Sequence, residues 1–317
     1  MDTFIYSLRK FFQSIPLIFG VTLISFVLMV YFGPDKTYDL LGKNPTQQQI
    51  EEVHHQLGYD QPFLTRYFIF FKEIITFDFG YSDSTGEKVS SIFARTIPVS
   101  LAVQLPILIS GNIISIILAL IAAYFRGKMI DKSVMFVAVI GMSVSYLIIV
   151  ILFQIIFCSS YGLNIFPVQG WEVESFTSYL KYVTVPVLAS VFLSIGYNTR
   201  FYRAVIVEEI TKDHVRTARA FGTHPLKLLF KNILKNSLIP IMTRIIITLP
   251  FIIIAGSIVL ESYFSIPGIG LVLYDAILTG DLPIIKAAVT WTAMIYVLSL
   301  ILTDIMYTVV DPRVTLK

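Results

Sequence analysis

Residues 99–125 read VSLAVQLPILISGNIISIILALIAAYF, a run without a single charged side chain. A helix needs ~20 apolar residues to cross a hydrocarbon core, and this run exceeds that. It is continuous rather than alternating, which excludes a barrel strand of ~10 residues. Lipid offers no partner to backbone amides, so the segment must satisfy them within a helix. Five further stretches of the same kind lie at 14–32, 133–158, 178–199, 238–262 and 287–309. The sequence therefore predicts an all-α integral membrane protein with about six transmembrane helices.

Composition agrees. The chain is 56% hydrophobic and 14% charged, whereas soluble domains carry about 25% charged residues. Its mean hydropathy is +0.76. A net charge of +3 is too small to point to nucleic acid. The single cysteine, Cys158, excludes an intrachain disulfide and a cysteine metal site, and reads as a small buried apolar residue. No small-x-small cleavage site follows 14–32, so that stretch reads as a retained first helix.

Short basic segments set the orientation. Arg9 and Lys10 precede the first span, and Arg126, Lys128 and Lys132 fill the link between spans two and three. Eight Lys and Arg residues crowd Arg200 to Lys235, and Arg313 and Lys317 close the sequence. With six spans all of these fall on one face, so both termini are expected in the cytoplasm. The long extracytoplasmic segment 33–98 after helix 1 carries six basic and nine acidic residues and weighs little in the rule. Within it, Thr46 is placed to cap a helix over Gln47–Leu57, with Gly58 as a stop signal. Pro62–Ile75 has apolar residues at helical spacing. It suits either an amphipathic helix on the outer membrane surface or one packed on the spanning core. The division expected is 1–97, the first transmembrane helix with the extracytoplasmic segment, and 98–317, five helices with a cytoplasmic loop at 200–237. No internal repeat relates the halves, which argues against a carrier built on inverted repeats.

The 200–237 loop is too long for a turn. Asp213 suits the N-cap of a helix over His214–Phe221, in which Val215, Ala218 and Phe221 make an apolar stripe. Arg216 and Arg219 share an adjacent face, and Gly222 permits the left-handed residue that ends a helix. Pro225 opens a second helix, with Leu226, Leu229, Phe230 and Ile233 on one side. Lys227, Lys231 and Lys235 lie on another, toward anionic headgroups. Two readings stay open: a basic solvated loop, or a docking knob whose apolar-plus-arginine face enters a partner's groove.

Arg216-Thr217-Ala218 with Gly222 resembles the Glu-Ala-Ala-x-x-x-Gly loop of binding-protein-dependent ABC transporter permeases. Val215–Gly222 followed by Asn236-Ser237-Leu238-Ile239-Pro240 is similar to the peptide/nickel (oligopeptide/dipeptide) permeases, and to the first of their two subunits. Further matches are Arg9 with Ile15-Pro16 and Gly20-Val21, Leu57–Pro62, Asp78–Ser82, Phe264–Gly270 and Asp311-Pro312-Arg313. Arg216 and Thr217 depart from the loop's Glu and first Ala, and Asn232–Lys235 stands where the wider family often has Ile-x-Leu-Pro. The resemblance implies a non-catalytic, multi-pass subunit of the bacterial cytoplasmic (inner) membrane, forming half of the pathway of an ATP-driven importer. The cargo it implies is oligo- or dipeptides; nickel and small saccharides are alternatives within the same scaffold. It implies as partners a second homologous permease, an extracytoplasmic substrate-binding protein and two cytoplasmic ATPase subunits, which bind ATP and Mg. The ATPases would dock on Asp213, Val215, Arg216, Ala218, Arg219, Phe221 and Gly222.

No G-x-x-x-x-G-K-[ST] loop is present, so no ATP site is expected on this chain. No H-E-x-x-H occurs, and His54-His55 reads as a hydrated surface pair rather than a nickel contact. Arg244 and Asp304 fall within spans, where ionisable residues are functional candidates by default; pairing with each other and a role in gating are both open. A self-sufficient channel or secondary carrier is the rival class. A proton- or sodium-coupled carrier calls for acids near the midplane, and Asp304 sits toward the inner end.

Overall fold

A computed structural model describes residues 2–32, 37, 41–42, 45–56, 58–250 and 258–310; side chains at 2–11, 14, 32, 56, 250 and 304–310 are not described. Helices dominate, and among the described residues there is no β-strand beyond an isolated Tyr81–Lys88 bridge. In chain order they are α1 (Asp2–Phe32), α2 (Gln47–Gln56), α3 (Phe63–Thr76), α4 (Val89–Tyr124), α5 (Met129–Ser143), α6 (Tyr146–Cys158), α7 (Phe176–Ile210) and α8 (Asp213–Ala220). There follow α9 (Pro225–Lys227), a π-helical segment (Leu228–Leu234), α10 (Lys235–Pro250), α11 (Ile258–Phe264), α12 (Ile269–Thr279) and α13 (Leu282–Val310).

Three of these are long and apolar enough to cross a membrane: α4, α7, and α13 over Leu282–Thr303. The total rises to five if each of two bent pairs is one span. The stretch 133–158 does not form the single straight helix expected of it. It is α5 and α6, bent by 104° at Val144–Ser145. Likewise α11 and α12 meet at 92°. The expected span 238–262 is covered by α10 and the start of α11, and residues 251–257 lie outside the described ones. The helix containing 99–125 begins ten residues earlier, at Val89.

The α4–α7 pair is the most extensive helix contact. Its buried face on α4 runs Ser100, Gln104, Ile107, Gly111, Ser115, Ala119, spaced three to four apart, with Ser100, Gly111, Ser115 and Ala119 small enough for close approach. Gly196 of α7 lies so near α5 that a methyl group there would meet the Ala138 carbonyl at 2.8 Å. Helices without a hydrophobic drive between them associate through such contacts.

At one end, α3 lies on α1 and α13. Phe26 of α1 packs against Phe70 and Tyr67 at 5.3 and 5.6 Å, and the Tyr67 and Thr22 hydroxyls are 3.1 Å apart. Lys286 of α13 pairs with Glu73 and lies 5.5 Å from the Phe70 ring. One face of the helix (Tyr67, Phe70, Ile74) packs on the spanning core while Leu64, Phe68 and Ile75 remain exposed, so both readings of this segment stand. Upstream, Thr46 and Gln49 form a reciprocal cap: the Thr46 amide donates to Gln49 Oε1 (2.9 Å) and the Gln49 amide to Thr46 Oγ1 (3.4 Å). Cys158 is buried in an apolar cluster with Val150, Val183 and Leu260, as its sequence context suggested.

Candidate functional site

The 200–237 segment departs from the end of α7 and returns through α8, α9 and the π segment into α10. α8 starts at Asp213, one residue earlier than expected, and Lys212 precedes it with no side-chain cap. Asp213 therefore stands in the first turn, where its charge suits the helix dipole, and pairs with Arg216 at 3.5 Å. The apolar stripe divides. Val215 is 1% exposed and, with Ala218, packs on Tyr202, Ile206, Leu228 and Ile233, whereas Phe221 is 85% exposed. Arg216 and Arg219 are also exposed. The outward surface is thus charged and aromatic, and the inward one anchors the helix to the chain's own core.

The end of α8 is fixed by hydrogen bonds. The Thr223 amide donates to the Ala218 carbonyl (3.2 Å) and the Gly222 amide to the Arg219 carbonyl (3.0 Å). This is the Schellman pattern, which needs a left-handed residue, and Gly222 has φ +70°. Beyond it, Leu228, Leu229 and Ile233 are buried while Leu226 and Phe230 are more than half exposed. The predicted 226/229/230/233 stripe assumed α periodicity. The π segment, bonded i to i+5, sets a different register and turns Leu228 and Ile233 inward together.

A second anchor holds the N-terminal end of α8. Glu209, at the C-terminal turn of α7, is buried and accepts from Lys212 (2.6 Å) and His214 Nε2 (3.2 Å). This hydrogen bond holds the Lys212 ammonium above its usual range. The same His214 nitrogen is 3.0 Å from Asn236 Nδ2 and 3.4 Å from the Asn232 carbonyl. Glu209 and His214 thus tie α8 to α7 on one side and, through the Asn232 carbonyl, to the π segment on the other. Sequence reasoning missed Glu209; its signal was an acid in the last turn of a helix, where the dipole disfavours negative charge. Nearby, Arg203 donates to both oxygens of Asp131, each at 2.6 Å, and Gly127 donates its amide to Asp131 Oδ2. That fork locks the α4–α5 link to α7.

Within the spans, Arg244 is half-buried, its guanidinium carbon 4.6 Å from the Phe201 ring centre and its Nε 3.4 Å from Asn198 Oδ1. Its described partners are on α7. Asp304 belongs to α13, but its side chain lies outside the described ones, so the Arg244–Asp304 pairing stays an expectation.

At the end opposite α8, the 264–270 motif forms the α11–α12 turn. Ser100 Oγ accepts from the Ile269 amide (2.8 Å) and Glu261 Oε2 from the Gly270 amide (2.7 Å). A methyl group on Gly268 would collide with both side chains. Asp281, fully buried, accepts from the Ser82 hydroxyl (2.6 Å), the Ser84 hydroxyl (2.8 Å) and the Ser84 amide (3.1 Å). Burial pushes this carboxyl up, but those hydrogen bonds outweigh it and hold it below its ordinary value of 3.8. Among the described residues no cluster of three metal-ligating side chains occurs.

The family described as "Binding-protein-dependent transport system inner membrane component" matches residues 115–316. The chain belongs to that family. The companion N-terminal description for such membrane components matches residues 1–104. A dipeptide transport system permease protein of Bacillus subtilis is 31% identical over 312 residues, covering 98% of each chain. One from Lactococcus lactis is 33% identical over 297 residues, covering 93% of this chain and 94% of the relative. A di/tripeptide transport system permease protein of Pseudomonas aeruginosa is 28% identical, with 96% and 97% covered. This chain is therefore a membrane-embedded permease of a binding-protein-dependent transport system.

Proposed function

We propose that the chain is one of two permease subunits of an ATP-driven importer for peptides, forming half of the translocation pathway. One observation carries the ATP-driven part. The short helix α8 presents Arg216, Arg219 and Phe221 outward while Val215, Glu209 and His214 fix it to α7 and to the π segment. An outward face that cannot rock independently of the spans is suited to transmit a push. The peptide cargo rests on the activity for which these relatives are named and on similarity along almost the whole chain. In this reading six spans place both termini and α8 in the cytoplasm of a bacterium, and the inner membrane is the site of action. Two ATPase subunits bind ATP and Mg and grip the α8 helices of this chain and of a second, similar permease. A substrate-binding protein delivers cargo at the opposite face. The ATPase pair must bind one permease state better than the other, because only that difference moves the equilibrium.

The test is reconstitution of the assembled complex in proteoliposomes with a labelled dipeptide. Phe221→Glu combined with Arg216→Glu should abolish ATP-dependent uptake while the complex still assembles around its other contacts. Uptake that persists in this variant sinks the docking role, and flux through this chain alone without ATP would favour a self-sufficient carrier.

A further inference from the structure

Three apolar runs have their edges around the π segment. The run in α4 ends at Phe125 and that in α7 at Thr199, while that in α10 begins at Leu238. Leu228 and Ile233 pack in one cluster with Ala119 and Ala123 just inside the first edge, Tyr202 just past the second and Ile241 just inside the third. The segment therefore lies at the boundary between hydrocarbon and water. Arg126, Lys128 and Arg200 mark the same boundary and are exposed.

The register of the π segment decides what it shows outward. Leu229 and Ile233 turn into the core, and of the sequence stripe only Leu226 and Phe230 stay more than half exposed. Lys227 and Lys231 beside them, and Lys235 four residues on, are exposed as well. The ion pairs of this region, Arg203–Asp131, Lys212–Glu209, His214–Glu209 and Arg216–Asp213, use none of the three lysines. From His214 to Leu260 the sequence holds no acidic residue at all. Two exposed apolar side chains interleaved with three ammonium groups match a surface that is apolar at one level and anionic at the next. A leaflet of acidic phospholipid is such a surface. A water-soluble partner meets the exposed Arg219 and Phe221 of α8, whereas the π segment sits beside the last apolar turns of α4, where lipid is the neighbour.

We propose that this segment binds an acidic phospholipid of the leaflet on the α8 side. The lipid phosphate lies on Lys227, Lys231 and Lys235, and its acyl chains run along Leu226 and Phe230. The same segment carries the Asn232 carbonyl and the apolar contacts that hold α8, so the bound lipid steadies the base of that helix. The inference needs only a membrane-embedded chain and is independent of the cargo.

The experiment places a benzophenone-bearing phenylalanine analogue at Phe230 in the assembled complex, held in bilayer discs of equal parts phosphatidylcholine and phosphatidylglycerol. Illumination links the side chain to its neighbour, and the mass of the adduct identifies that neighbour. Phosphatidylglycerol adducts should outnumber phosphatidylcholine adducts, by about fivefold for each lysine engaged. Combining Lys227→Gln, Lys231→Gln and Lys235→Gln should bring the ratio close to one, and raising salt to about 0.5 M should lower it in the wild type. If the triple variant does not assemble, the single substitutions replace it, each lowering the ratio about fivefold. Equal adducts of both lipids in the wild type, or a ratio that the lysine substitutions leave unchanged, overturns the site. Adducts to another protein subunit in place of lipid assign the face to that subunit and also overturn it. As a second readout, hydrogen exchange at Val215 and Arg216 should be slower in discs containing phosphatidylglycerol than in phosphatidylcholine alone, with no such difference in the triple variant. Equal exchange of the wild type in both bilayers overturns the steadying of α8.

Discussion

Gly222→Ala isolates the cap of α8 from everything else. The residue has φ +70°, and an added methyl group meets no heavy atom within 4 Å. Packing therefore contributes nothing, and the whole effect is backbone strain. Placing an L-residue in the left-handed region costs about 1–2 kcal/mol. That shifts the local folded-to-frayed ratio of the α8 C-terminus by about 5–30-fold. Hydrogen exchange read by mass spectrometry on the solubilised complex measures it directly. The Gly222 and Thr223 amides, which close the Schellman pair, should exchange about 5–30 times faster in Gly222→Ala. Residues on α4 and α7 should be unaffected. Gly222→Asn supplies the control, because asparagine tolerates this conformation better than alanine, and it should recover part of the protection. Equal exchange in wild type and Gly222→Ala, or a worse result for asparagine than for alanine, would refute the reasoning.

Removing the second anchor should loosen the same helix from its other end. Glu209→Ala takes the partner from Lys212 and His214. With both of these half-exposed, the loss is on the order of 1 kcal/mol. It should appear as faster exchange at Val215 and Arg216 and as ATP hydrolysis less tightly linked to uptake, with the ATPase still bound. Gly268→Ala forces a methyl group against the Glu261 carboxylate and the Ser100 hydroxyl. Overpacking of this kind costs about 1–3 kcal/mol, and a lowered unfolding temperature of the solubilised complex would register it. Asp281 sets an acid limit on the 77–88 loop. Its folded value is depressed, so its contribution is complete above the unfolded value near 3.8 and is lost as pH falls through the folded value. Protease cleavage of the loop should therefore rise below about pH 4, and Asp281→Asn should remove that pH dependence while raising cleavage at neutral pH.

The long apolar helices α4, α7 and α13 were legible because lipid imposes length and composition on whole segments, as in 99–125. Gly222 was legible because one local backbone requirement selects glycine. The α5–α6 bend was not: Gly141-Met142-Ser143-Val144-Ser145 holds no proline, and its glycine and serines are too common within spans to mark a bend. The π segment misled the apolar stripe at 226–233, since α periodicity was the only period available to test. Phe221 was assigned to the stripe of Val215 by spacing alone, yet the cap at Phe221–Thr223 turns it away. Long-range partners escaped entirely: Ser82 meets Asp281 across 199 positions, and Arg244 is oriented from α7 rather than from its own helix.

The most direct measurement of the central claim is site-specific crosslinking at α8. The chain's one native cysteine, Cys158, is buried, so Ala220→Cys introduces a single accessible thiol on the exposed face. In the assembled complex this thiol should crosslink to the ATPase subunits, be shielded from a water-soluble maleimide, and change its yield when ATP binds. Equal labelling with and without the ATPases, and no crosslink in either nucleotide state, would contradict the account.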